Sequence, residues 1–223
     1  MITRKEVIRY LGYGQNIPDD KVMELINNCI KEVEAAAKPK NVYRRFDVFI
    51  SEDDVISVAG LTIESHNLAK NLRGCSEAVL FAATLGTDVD RLLNKALKLD
   101  IAKAAVIQAA AAAAIEDYCN DCQNDITAKV KKEGLYVRPR FSPGYGDFAL
   151  SHQGKFLNAI NATKLIGITL SEGGIMIPEK SVSAIMGLSK IDTKCHLEGC
   201  EACGNAECQY RSCLLYTSPS PRD

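Results

Sequence analysis

The stretch Val42-Tyr43-Arg44-Arg45-Phe46-Asp47-Val48-Phe49-Ile50 decides the class of fold. Val42, Phe46, Val48 and Ile50 share one parity, which marks a strand with one face on a core. A second short strand, Val55–Val58, turns at Ala59-Gly60 into Leu61–Ile63, so the region reads as an antiparallel meander. Further on, Ala78–Ala83 is continuously apolar, the pattern of a strand covered on both faces.

Helices flank this block. Thr3 with Glu6 forms a capping box ahead of Val7, Ile8 and Leu11, and Asp20–Ala37 carries Val22, Leu25, Ile26, Cys29, Ile30 and Val33 at helical spacing. Ser65 caps a short helix that ends before Gly74, and Thr87 with Asp90 caps another. A long alanine-rich helix starts at Asp100, and its small-residue face fits a central buried helix or the wall of a cofactor groove. After Gly134, strand-like pieces (Tyr136–Phe141, Ile166–Leu170, Ser181–Leu188) alternate with a Pro/Gly loop and one helix begun by Ser151. Strands and helices are segregated, so the predicted class is α+β: a bent, mostly antiparallel sheet with packed helices. The expected organisation is one domain over residues 1–190, a Cys-rich segment over 191–213, and a disordered tail or non-native scar over 214–223.

Composition narrows the function. The 223 residues carry 27 Lys+Arg against 28 Asp+Glu, a net charge of −1, which argues against an electrostatic nucleic-acid binder. No run approaches the roughly 18 apolar residues of a membrane span, and no apolar run follows the N-terminal charges. The expectation is a cytoplasmic protein.

The most informative segment is Arg138-Pro139-Arg140-Phe141-Ser142-Pro143-Gly144-Tyr145-Gly146-Asp147. It reads as a strand ending in a rigid turn, with Pro143 fixing its own φ and Gly144 and Gly146 permitting positive φ. Arg140 offers a planar fork for a carboxylate, Tyr145 a ring face, and Asp147 a carboxylate for an ammonium. That set suits a zwitterionic amino-acid ligand. A tight turn carrying a surface arginine accounts for the same residues.

Arg140, Pro143, Gly144 and Tyr145, in the pattern Arg-x-x-Pro-Gly-Tyr, resemble the S-adenosylmethionine-binding motif of the activation domain of cobalamin-dependent methionine synthase. Downstream, Leu170-Ser171-Glu172, Met176-x-Pro178 and Ser181-Val182-Ser183 are similar to a second stretch of that domain, at the same spacing. Arg4–Tyr13 and Phe81–Asp90 resemble its stand-alone, single-domain members, and the likeness spans residues 2–190. The resemblance implies reductive reactivation: S-adenosylmethionine held over a partner's cobalamin, an electron from a flavodoxin-like donor, and methyl transfer to the reduced cobalt. It assigns Arg140 to the ligand's carboxylate and Pro143–Tyr145 to the adenosyl part, with Glu172 and Ser183 as polar partners. The sequence departs from the larger enzymes after Tyr145, where Gly146-Asp147-Phe148 replaces a Pro-Ala-Cys-Pro run.

Five of the 9 cysteines crowd one stretch, Cys195, Cys200, Cys203, Cys208 and Cys213. Thiolates at that density suit zinc or an iron–sulfur cluster, with Cys195, Cys200, Cys203 and Cys208 as candidate ligands. Surface thiols of a flexible terminus fit the same spacing. The rival functional reading is a non-catalytic corrinoid-protein binding module or metal-bearing assembly factor.

Overall fold

The computed structural model describes residues 2–14 and 16–192. They divide into two compact units: residues 2–36 with Arg91–Ala114, and Ala37–Asp90 with residues 115–192. The elements run α1 (Arg4–Tyr10), α2 (Asp20–Ala36), β1 (Lys40–Ile50), β2 (Val55–Val58), β3 (Leu61–Glu64), α3 (His66–Leu72), β4 (Cys75–Thr84), α4 (Thr87–Leu99) and α5 (Ile101–Lys131). They continue with β5 (Tyr136–Val137), a 3-10 turn (Leu150–His152), α6 (Gln153–Ala159), α7 (Ala162–Ile166), β6 (Thr169–Leu170), β7 (Met176–Ile177) and β8 (Ser181–Ser189). The class is α+β, with a mostly antiparallel sheet and a 31-residue helix α5, as expected. No helix among the described residues is long and apolar enough to cross a membrane.

The first unit is helical. Ile26, Cys29, Ile30 and Val33 form the buried stripe of α2, at the spacing that puts them on one face. Lys103 at the start of α5 donates to Glu32 Oε1 at 2.7 Å, and the Ile2 amide donates to Glu34 Oε1 at 3.2 Å. The expected capping box at α1 does not form: the Thr3 side chain makes no cap, and Glu6 pairs instead with Arg9 at 2.6 Å. An arginine three residues on offers Glu6 a full charge, a stronger partner than the Thr3 amide.

The second unit holds a six-stranded sheet in the order β3-β2-β1-β4-β8-β5, every neighbour antiparallel. β4 lies inside it, covered on both faces. Ala78, Leu80 and Ala82 face a core shared with Leu68 of α3, Phe156 of α6 and Ile166 of α7. Phe81 takes the other parity and pairs with Tyr43, whose hydroxyl meets Lys129 Nζ of α5 at 2.9 Å. Along that half of α5, Ile115, Cys119, Cys122, Ile126 and Val130 are buried at helical spacing. Burial pushes the Cys119 thiol up to about 12, so it is a protonated core residue.

Two strand expectations are corrected. The pairing that starts at Tyr136–Val137 breaks at Pro139, which has no amide hydrogen, and resumes only as a bridge from Phe141 to Ile185. Ile166 closes helix α7 rather than opening a strand, because Gly167 at φ +78° stops the helix and leaves two residues for β6.

Candidate functional site

The segment from Arg138 to Phe141 runs along β8. The Arg138 amide donates to Gly187 O at 2.8 Å, and Phe141 and Ile185 exchange bonds of 2.9 and 2.8 Å. Ser142–Tyr145 then makes a β-turn closed by the Tyr145 amide on Ser142 O at 3.1 Å. Pro143 sits at its second position and Gly144, with φ +94°, at its third, the type II arrangement that needs a residue free to adopt positive φ. The chain doubles back so that Gly144 N donates to Phe148 O at 2.7 Å. Phe148 is 1% exposed and anchors the loop, with its ring 6.4 Å from that of Phe141 and 5.8 Å from that of His152.

The second predicted segment arrives beside the first. β6 and β7 pair as a hairpin whose tip is tied by Ser171: its Oγ accepts from the Ile175 amide at 3.1 Å. Leu150 stands between the two segments. A methyl group built on Gly144 would lie 3.6 Å from one of its terminal carbons, and one on Gly174 would lie 3.9 Å from the other. Tyr145 on the turn, Leu150 between the segments and Ile175 and Ile177 on the hairpin are 69%, 45%, 63% and 45% exposed. Singly exposed apolar residues are ordinary, but four carried on the two segments and on Leu150 between them offer apolar surface to a ligand or partner.

The site residues named from sequence have different surroundings. Arg140 extends to α5, where Nη1 donates to Gln123 Oε1 at 3.0 Å and Nη2 to Asn120 Oδ1 at 2.8 Å and Glu116 Oε2 at 3.2 Å. Pro143 is buried, Gly144 and Tyr145 are exposed, and Glu172 is exposed at the hairpin tip. Ser183 is only 3% exposed and donates to Gln153 Oε1 at 3.3 Å, so it lies within the unit under α6. Asp147 caps α3: its carboxylate accepts from the Ser65 hydroxyl and from the amides of His66 at 2.8 Å and Asn67 at 3.2 Å. An ammonium at Asp147 would compete with those donors. Cys195, Cys200, Cys203 and Cys208 lie outside the described residues. Among the described residues, no group of three or more His, Cys, Asp or Glu is placed to hold a metal.

The α5 acceptors of Arg140 were not among the residues picked from sequence. Their signal is present, since positions 116, 120 and 123 form a polar stripe at helical spacing. Such a stripe reads equally as a solvated face, so it names no partner.

The Ser65 hydroxyl, and then the two amides, hold the Asp147 carboxyl below the usual carboxylate range, against the opposing effect of burial. A depressed folded-state pKa adds stability above the unfolded value and loses it as pH falls through the folded one. Chemical denaturation of wild type and Asp147→Asn should therefore differ at neutral pH, with the gap closing as pH falls below the usual carboxylate range and through the lowered folded-state value. A pH-independent gap between them would show that the charge of Asp147 does not stabilise the cap.

Gly146 is a second constraint on the loop. Its φ is +54°, and an added Cβ would lie 2.7 Å from Asn67 Nδ2. Gly146→Ala is expected to cost about 1–2 kcal/mol from the left-handed backbone, plus the displacement of Asn67. Gly167→Ala is the control, because φ is +78° there and nothing lies within 4 Å of the new methyl. Equal losses in urea melts would mean that the Asn67 contact yields without cost.

Comparison with known proteins supplies the fold. No family model matches the chain, and no curated protein matches it. Among solved structures the chain is similar to the "MetH Reactivation Domain bound to AdoHcy", with a TM-score of 0.59 and 15% identity, over 86% of this chain and 78% of that one. The fold therefore resembles that of the methionine synthase reactivation domain.

Proposed function

We propose that this protein binds S-adenosylmethionine on the Arg140–Tyr145 turn and serves the reductive reactivation of a cobalamin-dependent methionine synthase. The observation that carries the reading is the meeting of the two predicted segments, around Leu150, in a fold like that of a domain whose structure was solved with AdoHcy. AdoHcy is what remains of S-adenosylmethionine once the methyl group has gone.

The residues fit such a ligand. Arg140 supplies a guanidinium for the carboxylate, the exposed Tyr145 ring and the bare backbone at Gly144 take the adenosyl part, and Glu172 is a polar partner from the hairpin. Bound S-adenosylmethionine supplies an electrophilic methyl group, and the partner's reduced cobalamin accepts it. The chain's own task is orientation: its turn is rigid before the ligand arrives, so little ordering remains to be done on binding. The exposed patch of Tyr145, Leu150, Ile175 and Ile177 is the surface offered to the cobalamin module. A flavodoxin-like donor in the cytoplasm would supply the electron.

One observation favours the rival reading of a non-catalytic corrinoid-protein module: Arg140 already has three acceptors on α5. Calorimetric titration of S-adenosylmethionine into the protein separates the two. Saturable binding is expected. Its absence at millimolar ligand, both alone and with a cobalamin-loaded partner module, would overturn the proposal and leave the rival.

A further inference from the structure

The three acceptors of Arg140 do not leave it equally open to a ligand. A guanidinium carries two hydrogens on each terminal nitrogen and one on Nε. It takes a carboxylate by two parallel bonds through Nη1 with Nη2, or through Nε with Nη2. Both forks need Nη2, and Nη2 already donates to two acceptors, Asn120 at 2.8 Å and Glu116 at 3.2 Å. One of them has to leave before a ligand's carboxylate can be held two-pronged.

Glu116 is the one built to leave. Its bond is the longer, and its side chain is 46% exposed against 17% for Arg140, so water can receive it. It also carries the charge of the incoming group. Asn120 and Gln123 are neutral amides that hold the guanidinium plane without repelling an anion. We propose that Glu116 is a displaceable internal counter-anion: it occupies Arg140 until the carboxylate of an amino-acid ligand takes its place. The proposal rests on the S-adenosylmethionine reading. Glu116 acts through Arg140, which makes it a positioning residue.

Glu116→Gln keeps an acceptor for Nη2 and removes the competing charge. Half-exposed ion pairs are weak, so affinity for S-adenosylmethionine should tighten by about two- to fivefold. The control ligand is decarboxylated S-adenosylmethionine, which has the sulfonium and the amine but no carboxylate, and for it no tightening is expected. Calorimetric titration of both ligands into both proteins decides the matter. Tightening confined to the carboxylate-bearing ligand supports the proposal. Unchanged or weaker binding in Glu116→Gln overturns it, weaker binding meaning that Glu116 only braces Arg140. Equal tightening with both ligands overturns it as well. If neither protein binds either ligand, the S-adenosylmethionine reading itself has failed and this one falls with it, an outcome distinct from loss of the Glu116 effect alone.

Discussion

Replacing Arg140 by alanine is expected to weaken S-adenosylmethionine binding by at least about 100-fold, the equivalent of roughly 2.7 kcal/mol. Hydrogen bonds to a charged group contribute about 1.5–3 kcal/mol each, and a two-pronged carboxylate contact contains two of them. The fold should survive the change. Glu116 itself is about half exposed, and the other two partners are amides on a helix already anchored by Cys119, Ile126 and Val130. Thermal melts of the variant should therefore stay within a few degrees of wild type while the binding isotherm flattens. Arg140→Lys sharpens the test, since it keeps the charge and loses the fork; an intermediate affinity is expected. Binding that survives Arg140→Ala would move the ligand away from the turn altogether.

Phe148→Ala should be the most damaging single change to the loop, at about 3–5 kcal/mol. The ring is 1% exposed, belongs to the same core as Leu68, Phe156 and Ile185, and stacks on Phe141. It also fixes the backbone that closes the turn, because Phe148 O accepts from Gly144 and Phe148 N donates to Tyr145 O. A cavity there releases the loop on which Tyr145 is mounted. Urea denaturation measures the first effect, and ligand affinity at concentrations where the variant remains folded measures the second. A loss below about 1 kcal/mol would mean that the core closes over the gap. In that case the loop does not depend on its anchor.

The sheet was legible because its information is local. The shared parity of Val42, Phe46, Val48 and Ile50 and the unbroken apolar run Ala78–Ala83 state which faces must leave water, and the structure answers with β1 paired between β2 and β4 and with β4 covered on both sides. Ser65 was readable for the same reason, since its Oγ accepts from an amide three residues on. Pro139 and Gly167 stand in the sequence, yet apolar periodicity carries a strand across each of them. Each acts on one hydrogen bond or one φ, an effect that apolar periodicity does not report.

The candidate site divides along the same line. Residues 140–145 carry their turn in their own backbone preferences, because Pro143 and Gly144 allow little else, while a ligand there is what the resemblance implies. Which groups surround that turn is a tertiary matter. Glu116 meets Arg140 across 24 residues, and Ser65 meets Asp147 across 82. Local periodicity ranks polar positions only as facing water or not, so it cannot say that the Asp147 carboxylate closes a helix or that Ser183 is buried against Gln153. Those assignments exist only once the sheet has brought distant segments to hydrogen-bonding distance. By itself the sequence determined the α+β class, the central strand and the turn; the tertiary structure decided the partners of Arg140, since an arginine's fork takes whichever acceptors the fold places in front of it.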